Sequence, residues 1–250
     1  MADENRELTV RTVAVGSAWF DYALEGGLRF VQRLPHSAAE SAVVLLRGGP
    51  GTGKSVLAQN LSLGVAENLG CDVLYVCIEI LPTEIRAQRA GFDGYEPGAV
   101  IDLANPQDGE QAPAAPRLVV GLADIGDDPA FAHHAPQLDE AILKLWRVAK
   151  GRGFAPKVVV VDALSDGYRL GASMPRSRID GVCKLAAEQG WVLILAEEEM
   201  TAAPSPWAFA VDTVLSLRFN AQNRRHEMLV AKHRFGPSKA GPHPLSFARE

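Results

Sequence analysis

Short apolar runs alternate with longer amphipathic stretches along most of this chain. Apolar residues follow one another almost without interruption over residues 42–47 (AVVLLR), 72–79 and 158–162 (VVVVD), as in strands that are buried on both faces. Over residues 54–69 and 137–150 the apolar positions instead recur at helical spacing. Buried strands that alternate with helices are typical of a mostly parallel central sheet flanked by helices. The pattern therefore predicts an α/β fold of this type.

The C-terminal third continues this pattern and then departs from it. A helix is predicted over residues 177–189 and a strand over 191–196 (WVLILA). The β-type runs that follow have no helical stretch between them, and residues 220–223 have the composition of a turn. We therefore expect a C-terminal antiparallel strand meander, formed by residues 213–218, 228–232 and 244–247.

Neither an internal repeat nor a linker divides the 250 residues. A chain of this length fits one α/β domain, which we expect to span residues 1–250. Residues 1–14 are expected to form an N-terminal arm. Residues 104–117 are rich in Pro, Gln and Ala, and this composition predicts a flexible loop.

Charge and hydropathy narrow the class of protein. The 25 basic and 30 acidic residues give a net charge of −5, which argues against a generally basic nucleic-acid surface. No apolar run approaches the length of a membrane span. The first nine residues are polar and acidic, unlike a secretory signal. We therefore expect a cytoplasmic protein without a membrane partner.

The strongest motif lies directly after the first predicted buried strand. Residues 48–55 (GGPGTGKS) match the phosphate-loop pattern G-x-x-x-x-G-K-[ST], and a helix is predicted to follow them. Glycines allow the backbone N–H groups to form a concave anion site, and the helix N-terminus adds positive potential. The lysine of such a loop reaches the β- and γ-phosphates, and its hydroxyl residue binds Mg²⁺. The motif predicts an ATP site with Mg²⁺ that consists of Gly49, Pro50, Gly51, Thr52, Gly53, Lys54 and Ser55.

Asp162 follows four consecutive valines. An apolar strand that ends in one aspartate is typical of the Walker B motif of phosphate-loop proteins. The carboxylate of this motif holds Mg²⁺, often through water. The alternative is an aspartate that caps the turn after a strand. Because a phosphate loop precedes it in the same chain, we assign Asp162 with Ser55 to the metal site.

Glu79 ends the predicted strand after the phosphate-loop helix. The carboxyl ends of neighbouring parallel strands share one crevice, so Glu79 is a candidate to orient and deprotonate an attacking water. The alternative is an acid that stabilises the N-terminus of a helix beginning at Pro82. The residues alone leave these two readings equal.

Three consecutive glutamates follow the strand at 191–196. Like charges repel, so we expect only one of them to contact the nucleotide, and we select Glu197 rather than Glu198 or Glu199. Further along the chain, Lys232 and Arg234 lie two residues apart on the same side of a predicted strand. Taken alone, they read as an exposed basic pair.

Several stretches together resemble the KaiC branch of the RecA superfamily of ATPases. They are residues 20–28 (FDYALEGGL), the loop 48–55, 75–84 (YVCIEILPTE), 211–214 (VDTV) and 232–234 (KHR). The similarity runs in order through nearly the whole chain. It is therefore more specific than any one motif.

This resemblance implies a RecA-like core, ATP hydrolysis and a homo-oligomer, usually a hexameric ring with nucleotide between subunits. Glu79 is then the general base and Lys54 a catalytic cation. Lys232 and Arg234 reach the γ-phosphate of the neighbouring subunit. Two departures stand out: Glu79 is followed by Ile80 where many members have a second glutamate, which suggests slow hydrolysis, and the segment 28–41 is longer than usual.

Three functional hypotheses remain open at this point. The first is an oligomeric regulatory or signalling ATPase whose nucleotide state is read by an unidentified protein partner. The second is a DNA-binding ATPase of the recombinase-paralogue type, which the acidic net charge disfavours. The third is a nucleotide-binding scaffold with little hydrolysis. DNA binding would use the loops after Asp162 and Glu199, with Arg169, Arg176, Arg178 and a base-stacking Trp207.

Overall fold

The computed structural model describes residues 9–34, 36–78, 80–91, 100–105, 116–123, 138–165, 176–199 and 205–246. Within these ranges, 11 strands join in one sheet, and six helices accompany it. The strands are β1 (Val10–Val13), β2 (Leu28–Gln32), β3 (Glu40–Gly48), β4 (Asp72–Cys77), β5 (Val100–Asp102), β6 (Leu118–Leu122), β7 (Pro156–Ser165), β8 (Val192–Glu198), β9 (Thr213–Asn220), β10 (Arg225–His233) and β11 (His243–Leu245). The helices are α1 (Ala18–Ala23), α2 (Lys54–Leu69), α3 (Pro82–Arg89), α4 (Leu138–Gly151), α5 (Arg176–Gln189) and α6 (Pro206–Ala210).

The strand order is β11-β10-β9-β3-β8-β7-β4-β6-β5. Every neighbouring pair from β9 to β5 is parallel, whereas β10 and β11 are antiparallel to their neighbours. The predicted α/β fold is thus confirmed, with a mostly parallel central sheet and a C-terminal antiparallel meander. β3 lies between β8 and β9, so the loop that follows it starts at the centre of the sheet.

The two faces of the sheet are covered by different helices. In β7, Val158 and Val160 pack in the core beneath α1, α2 and α3. Val159 and Val161 pack in the core beneath α4, α5 and α6. Successive side chains of a strand point to opposite faces, so a strand covered on both sides must be apolar at every position. This requirement explains the uninterrupted valine run.

Helix α2 has the bounds that the sequence predicts. It begins at Lys54, directly after Gly53, whose φ of 91° lies in the left-handed region. It ends before Gly70, which also has a left-handed φ of 60° and closes the last turn through its N–H. Glycine adopts both conformations without the steric cost that a side chain brings.

The N-terminal part of the fold holds structure that the hydrophobic pattern does not predict. β1 lies within the predicted N-terminal arm but pairs with β2, and β2 pairs with β3 through Val31 and Ser41. The long segment 28–41 therefore contains a strand. Beyond β2, Arg33 forms an ion pair with the buried Asp212. The extra length is thus attached to the centre of the sheet.

The structure does not test the predicted domain organisation or most of the predicted loop. The single-domain interpretation of residues 1–250 stays a prediction, and most of the predicted loop 104–117 lies outside the described residues. Among the described helices, none is both long enough and apolar enough to cross a membrane.

Candidate functional site

The phosphate-loop motif connects β3 to α2 at the carboxyl edge of the parallel strands. Gly51 and Gly53 have left-handed φ angles of 70° and 91°. A Cβ atom added at Gly49 or Gly51 would meet nothing within 4 Å, so this side of the loop is open. An open loop at a helix N-terminus matches the requirements of a phosphate site.

A cleft of about 360 Å³ lies beside this loop. In open α/β sheets, ligands bind at the carboxyl ends of the strands, and this cleft lies at that edge. It brings together the loop, residues Asp162 and Ala163 of β7 and the end of β8. Its lining residues are Pro50, Gly51, Gly53, Lys54, Ser55, Val56, Ile80, Asp162, Ala163 and Glu198.

Lys54 provides the positive charge of the cleft. The residue is 8% exposed, and its Nζ donates a hydrogen bond to the Gly49 carbonyl oxygen over 2.8 Å. The Thr52 hydroxyl donates to the same oxygen, also over 2.8 Å. A buried ammonium next to the N-terminal N–H groups of α2 creates a positive potential that suits the phosphates of a nucleotide.

Asp162 is the buried carboxylate of the cleft. Its Oδ2 accepts a hydrogen bond of 2.5 Å from the Tyr75 hydroxyl, and its backbone carbonyl accepts one from the N–H of Ile78. Burial raises the pKa of Tyr75 well above its usual range, and the Asp162 charge adds to the rise. The hydroxyl is therefore a fixed donor near neutral pH.

The residues at this end of the cleft fit a magnesium ion. Ser55 and Asp162 both line it, and their side chains carry hard oxygen ligands of the kind that Mg²⁺ prefers. Mg²⁺ usually keeps several waters and takes few protein ligands besides substrate phosphates. Two protein oxygens next to a phosphate loop meet that description.

Glu197 and Glu198 have different surroundings. Glu197 is 2% exposed, and its two carboxylate oxygens bind Arg47 and Ser205. Glu198 lines the cleft, whereas Glu197 does not. Sequence reasoning selects Glu197, and its contact with nucleotide stays a prediction. Alternation along β8 could have pointed to Glu198, because Val192 and Ile194 pack on the face that α2 covers and Glu198 continues their register.

Lys232 and Arg234 lie far from the phosphate loop of their own chain. His233, between them, pairs with Thr213, and Thr213 pairs with Val44, whereas the loop begins at the other end of β3. Gly48 lies four residue steps beyond Val44 along β3, a distance of about 13 Å. The two basic side chains instead donate hydrogen bonds to carbonyl oxygens at the C-terminal end of α6, those of Ala208, Phe209 and Val211.

The hypotheses for Glu79 and Trp207 have different outcomes. Glu79 lies outside the described residues, although Ile80 lines the cleft. Trp207, the residue expected to stack on a base, is 4% exposed and packs in the core beneath α5 and α6. The expectation for Trp207 is therefore wrong, because an aromatic ring inside the core cannot reach a nucleic-acid base.

Comparison of this chain with known proteins supports the α/β fold described above. No family model matches the chain. It is 37% identical over 83 residues to UPF0273 protein PF1931 of Pyrococcus furiosus, a match that covers 33% of this chain and only 29% of that curated relative. The solved structure of KaiC-like protein PH0186 from Pyrococcus horikoshii is similar over 96% of both chains, with a TM-score of 0.63 and 20% identity. The chain therefore shares the α/β fold of this solved KaiC-like protein.

Proposed function

We propose that this chain is an ATPase that binds ATP and Mg²⁺ in the cleft at the end of β3. The observation that carries the proposal is the convergence of Lys54, Ser55 and Asp162 on one cleft, although Asp162 is more than 100 residues away along the chain. These are the cation, the hydroxyl and the carboxylate that phosphoryl transfer from a nucleotide requires.

The loop and Lys54 have the binding role. The backbone N–H groups of the loop and the Lys54 ammonium hold the β- and γ-phosphates and balance the charge that develops on them. Ser55 and Asp162 would hold Mg²⁺, which neutralises phosphate charge when it is bound. Glu198, at the same cleft, is placed to accept a hydrogen bond from a water or a nucleotide hydroxyl.

Hydrolysis then needs a base beside the γ-phosphate. A water attacks the γ-phosphorus, the bond between that phosphorus and the β–γ bridging oxygen breaks, and ADP leaves with the bonding electron pair. We assign to Glu79 the proton that the water loses. The sequence places this carboxylate next to Ile80, which lines the cleft.

The second part of the proposal concerns the oligomer. Because Lys232 and Arg234 lie at the opposite end of the sheet from their own loop, they can assist only the loop of another subunit. This arrangement supports a homo-oligomer, as in a hexameric ring, with nucleotide between subunits. A protein partner that prefers one nucleotide state of the ring would give the ATPase a regulatory role.

Nucleotide binding to two lysine variants tests the cleft. Lys54→Ala should reduce ATP affinity at least 100-fold in a calorimetric titration, since a charge-assisted contact to buried phosphates is lost (about 3 kcal/mol). Lys184→Ala is the matched control, because that side chain is 70% exposed on α5. Equal affinities of wild type and Lys54→Ala would refute the assignment of the loop.

A further inference from the structure

Tyr75 is a buried polar residue that no step of the proposed reaction uses. It is wholly inaccessible to solvent, in the middle of β4, where the strand pattern calls for an apolar side chain. Its neighbours Val73 and Cys77 pack on the α2 face of the sheet, and so does the Tyr75 ring. Cys77 pairs with Asp162, so Tyr75 and Asp162 are diagonal neighbours on adjacent strands.

The Tyr75 hydroxyl has one fixed partner, because it donates to Oδ2 of Asp162 over 2.5 Å. Both side chains are removed from water: Tyr75 is fully buried and Asp162 is 1% exposed. In these surroundings, the hydrogen bond to Asp162 fixes the direction in which the hydroxyl proton points.

We propose that Tyr75 is a positioning residue that limits Asp162 to one cation-facing oxygen and so makes the cleft favour Mg²⁺ over Ca²⁺. This inference rests on the proposed function, because it presumes a nucleotide-bound cation beside Asp162. The Tyr75 hydrogen bond occupies one lone pair of Oδ2 and fixes the orientation of the carboxylate, which disfavours binding of one cation by both oxygens. Mg²⁺ takes single oxygens in octahedral geometry, whereas Ca²⁺ takes six to eight oxygens and often both oxygens of a carboxylate.

The Tyr75→Phe variant separates this role from a purely structural one. Phenylalanine keeps the ring in the core and removes only the donor, so the Asp162 carboxylate becomes free to turn. A buried tyrosine that merely needs an acceptor would change stability and leave the ratio of the two cation affinities as it was. A positioning residue changes that ratio, because both oxygens become available to Ca²⁺.

Cation affinity can be measured without turnover. Full-length protein is saturated with a non-hydrolysable ATP analogue and Mn²⁺, and the electron paramagnetic resonance signal of free Mn²⁺ is followed as Mg²⁺ or Ca²⁺ displaces the bound ion. In Tyr75→Phe, Mg²⁺ affinity should fall about 10-fold or more, in line with the loss of a partner that orients a metal ligand. Ca²⁺ affinity should fall less or rise.

Two comparisons complete the experiment. Trp146→Phe also removes one aromatic donor, to the Pro156 carbonyl on the other face of the sheet, and should leave both affinities unchanged. In an Asp162→Asn background, Tyr75→Phe should change the ratio no further, since Tyr75 acts through Asp162.

Each outcome has a separate meaning. An unchanged ratio of the Mg²⁺ and Ca²⁺ affinities in Tyr75→Phe, whether or not both affinities fall, would overturn the role of Tyr75 and leave the proposed ATPase intact. An additional effect of Tyr75→Phe in the Asp162→Asn background would also overturn it. Wild-type protein that binds the analogue without retaining Mn²⁺ would instead overturn the metal site of the proposed function, and the inference with it.

Discussion

Arg47 of β3 and Glu197 of β8 form an ion pair across the two central strands, with 3.0 Å between Nε and Oε2. Arg47 is 14% exposed at its side chain and Glu197 only 3%, so the pair is largely removed from water. Ser205 donates to the other Glu197 oxygen and also accepts a hydrogen bond at the N-terminus of α6. Glu197 therefore connects β3, β8 and α6, whereas its neighbour Glu198 lines the cleft.

The two glutamates should respond differently to the same substitution. Glu197→Gln removes the charge from a buried pair and should lower the free energy of unfolding by about 2 kcal/mol, the usual size for a charged hydrogen bond. Glu198→Gln should change it by less than about 0.5 kcal/mol and lower ATP turnover instead. Urea denaturation and a steady-state ATPase assay measure the two effects. Unchanged stability in Glu197→Gln, with turnover lost, would contradict this division.

Gly48 is the point where the loop leaves the sheet. A Cβ atom there would lie 2.5 Å from the Leu217 carbonyl oxygen and 2.7 Å from the Thr52 hydroxyl oxygen. Gly48→Ala should therefore cost about 1–3 kcal/mol through overpacking and weaken nucleotide binding, because β9 or the loop must shift. In the control Gly151→Ala, the added methyl group meets nothing within 4 Å. Equal thermal stability of the two variants would show that position 48 tolerates a side chain.

His233 makes the stability of the β9–β10 region depend on pH. Burial lowers the pKa of His233 from 6.5 to about 4, and the Arg29 charge adds to the decrease while Asp212 opposes it. His233 therefore becomes protonated below about pH 6.5 in the unfolded chain, but only below about pH 4 in the folded chain. This contribution to stability is complete above pH 6.5 and is lost as the pH falls through that window.

The replacement His233→Gln removes the titrating group. Between pH 6.5 and 4, its free energy of unfolding should fall less steeply than that of the wild type, whatever its absolute stability. Parallel curves for the two proteins in chemical denaturation at a series of pH values would mean that His233 titrates normally in the folded state.

Arg234 offers a test of the shared site. Arg234→Ala should lower turnover about 10³-fold or more with little loss of nucleotide affinity, if its guanidinium acts on the loop of a neighbouring subunit. Mixed with Lys54→Ala protein, it should regain part of the activity. At some mixed interfaces, an intact loop meets an intact Arg234. An activity equal to the sum of the two separate variants, once subunit exchange has been verified, would speak against a site between subunits.

The sequence is most informative where local rules and tertiary packing agree. Residues 54–69 are a helix as predicted, because glycines with left-handed φ angles bound the stretch at both ends. The Val158–Val161 run predicts a strand from the sequence alone, because a strand covered on both faces of the sheet needs apolar side chains at successive positions. β1 and α6 are missed, because four or five residues are too few to show a period.

Within the candidate site, the motif identifies the loop and Asp162 but not their supports. Tyr75 looks like an ordinary core aromatic in the sequence, and only the register of β4 against β7 brings it to Asp162. The choice among the three glutamates depends on which face of strand β8 is covered by helix α2. That face is set by the path of the chain rather than by local composition.

Steady-state ATP hydrolysis over a range of protein concentrations, in wild type and Glu79→Gln, tests the central claim most directly. Specific activity should rise with concentration as subunits assemble, and it should fall about 10²-fold or more in the variant, which keeps nucleotide affinity but lacks the proton acceptor. Wild-type protein that binds ATP yet shows no hydrolysis at any concentration, or a variant as active as the wild type, would contradict the account.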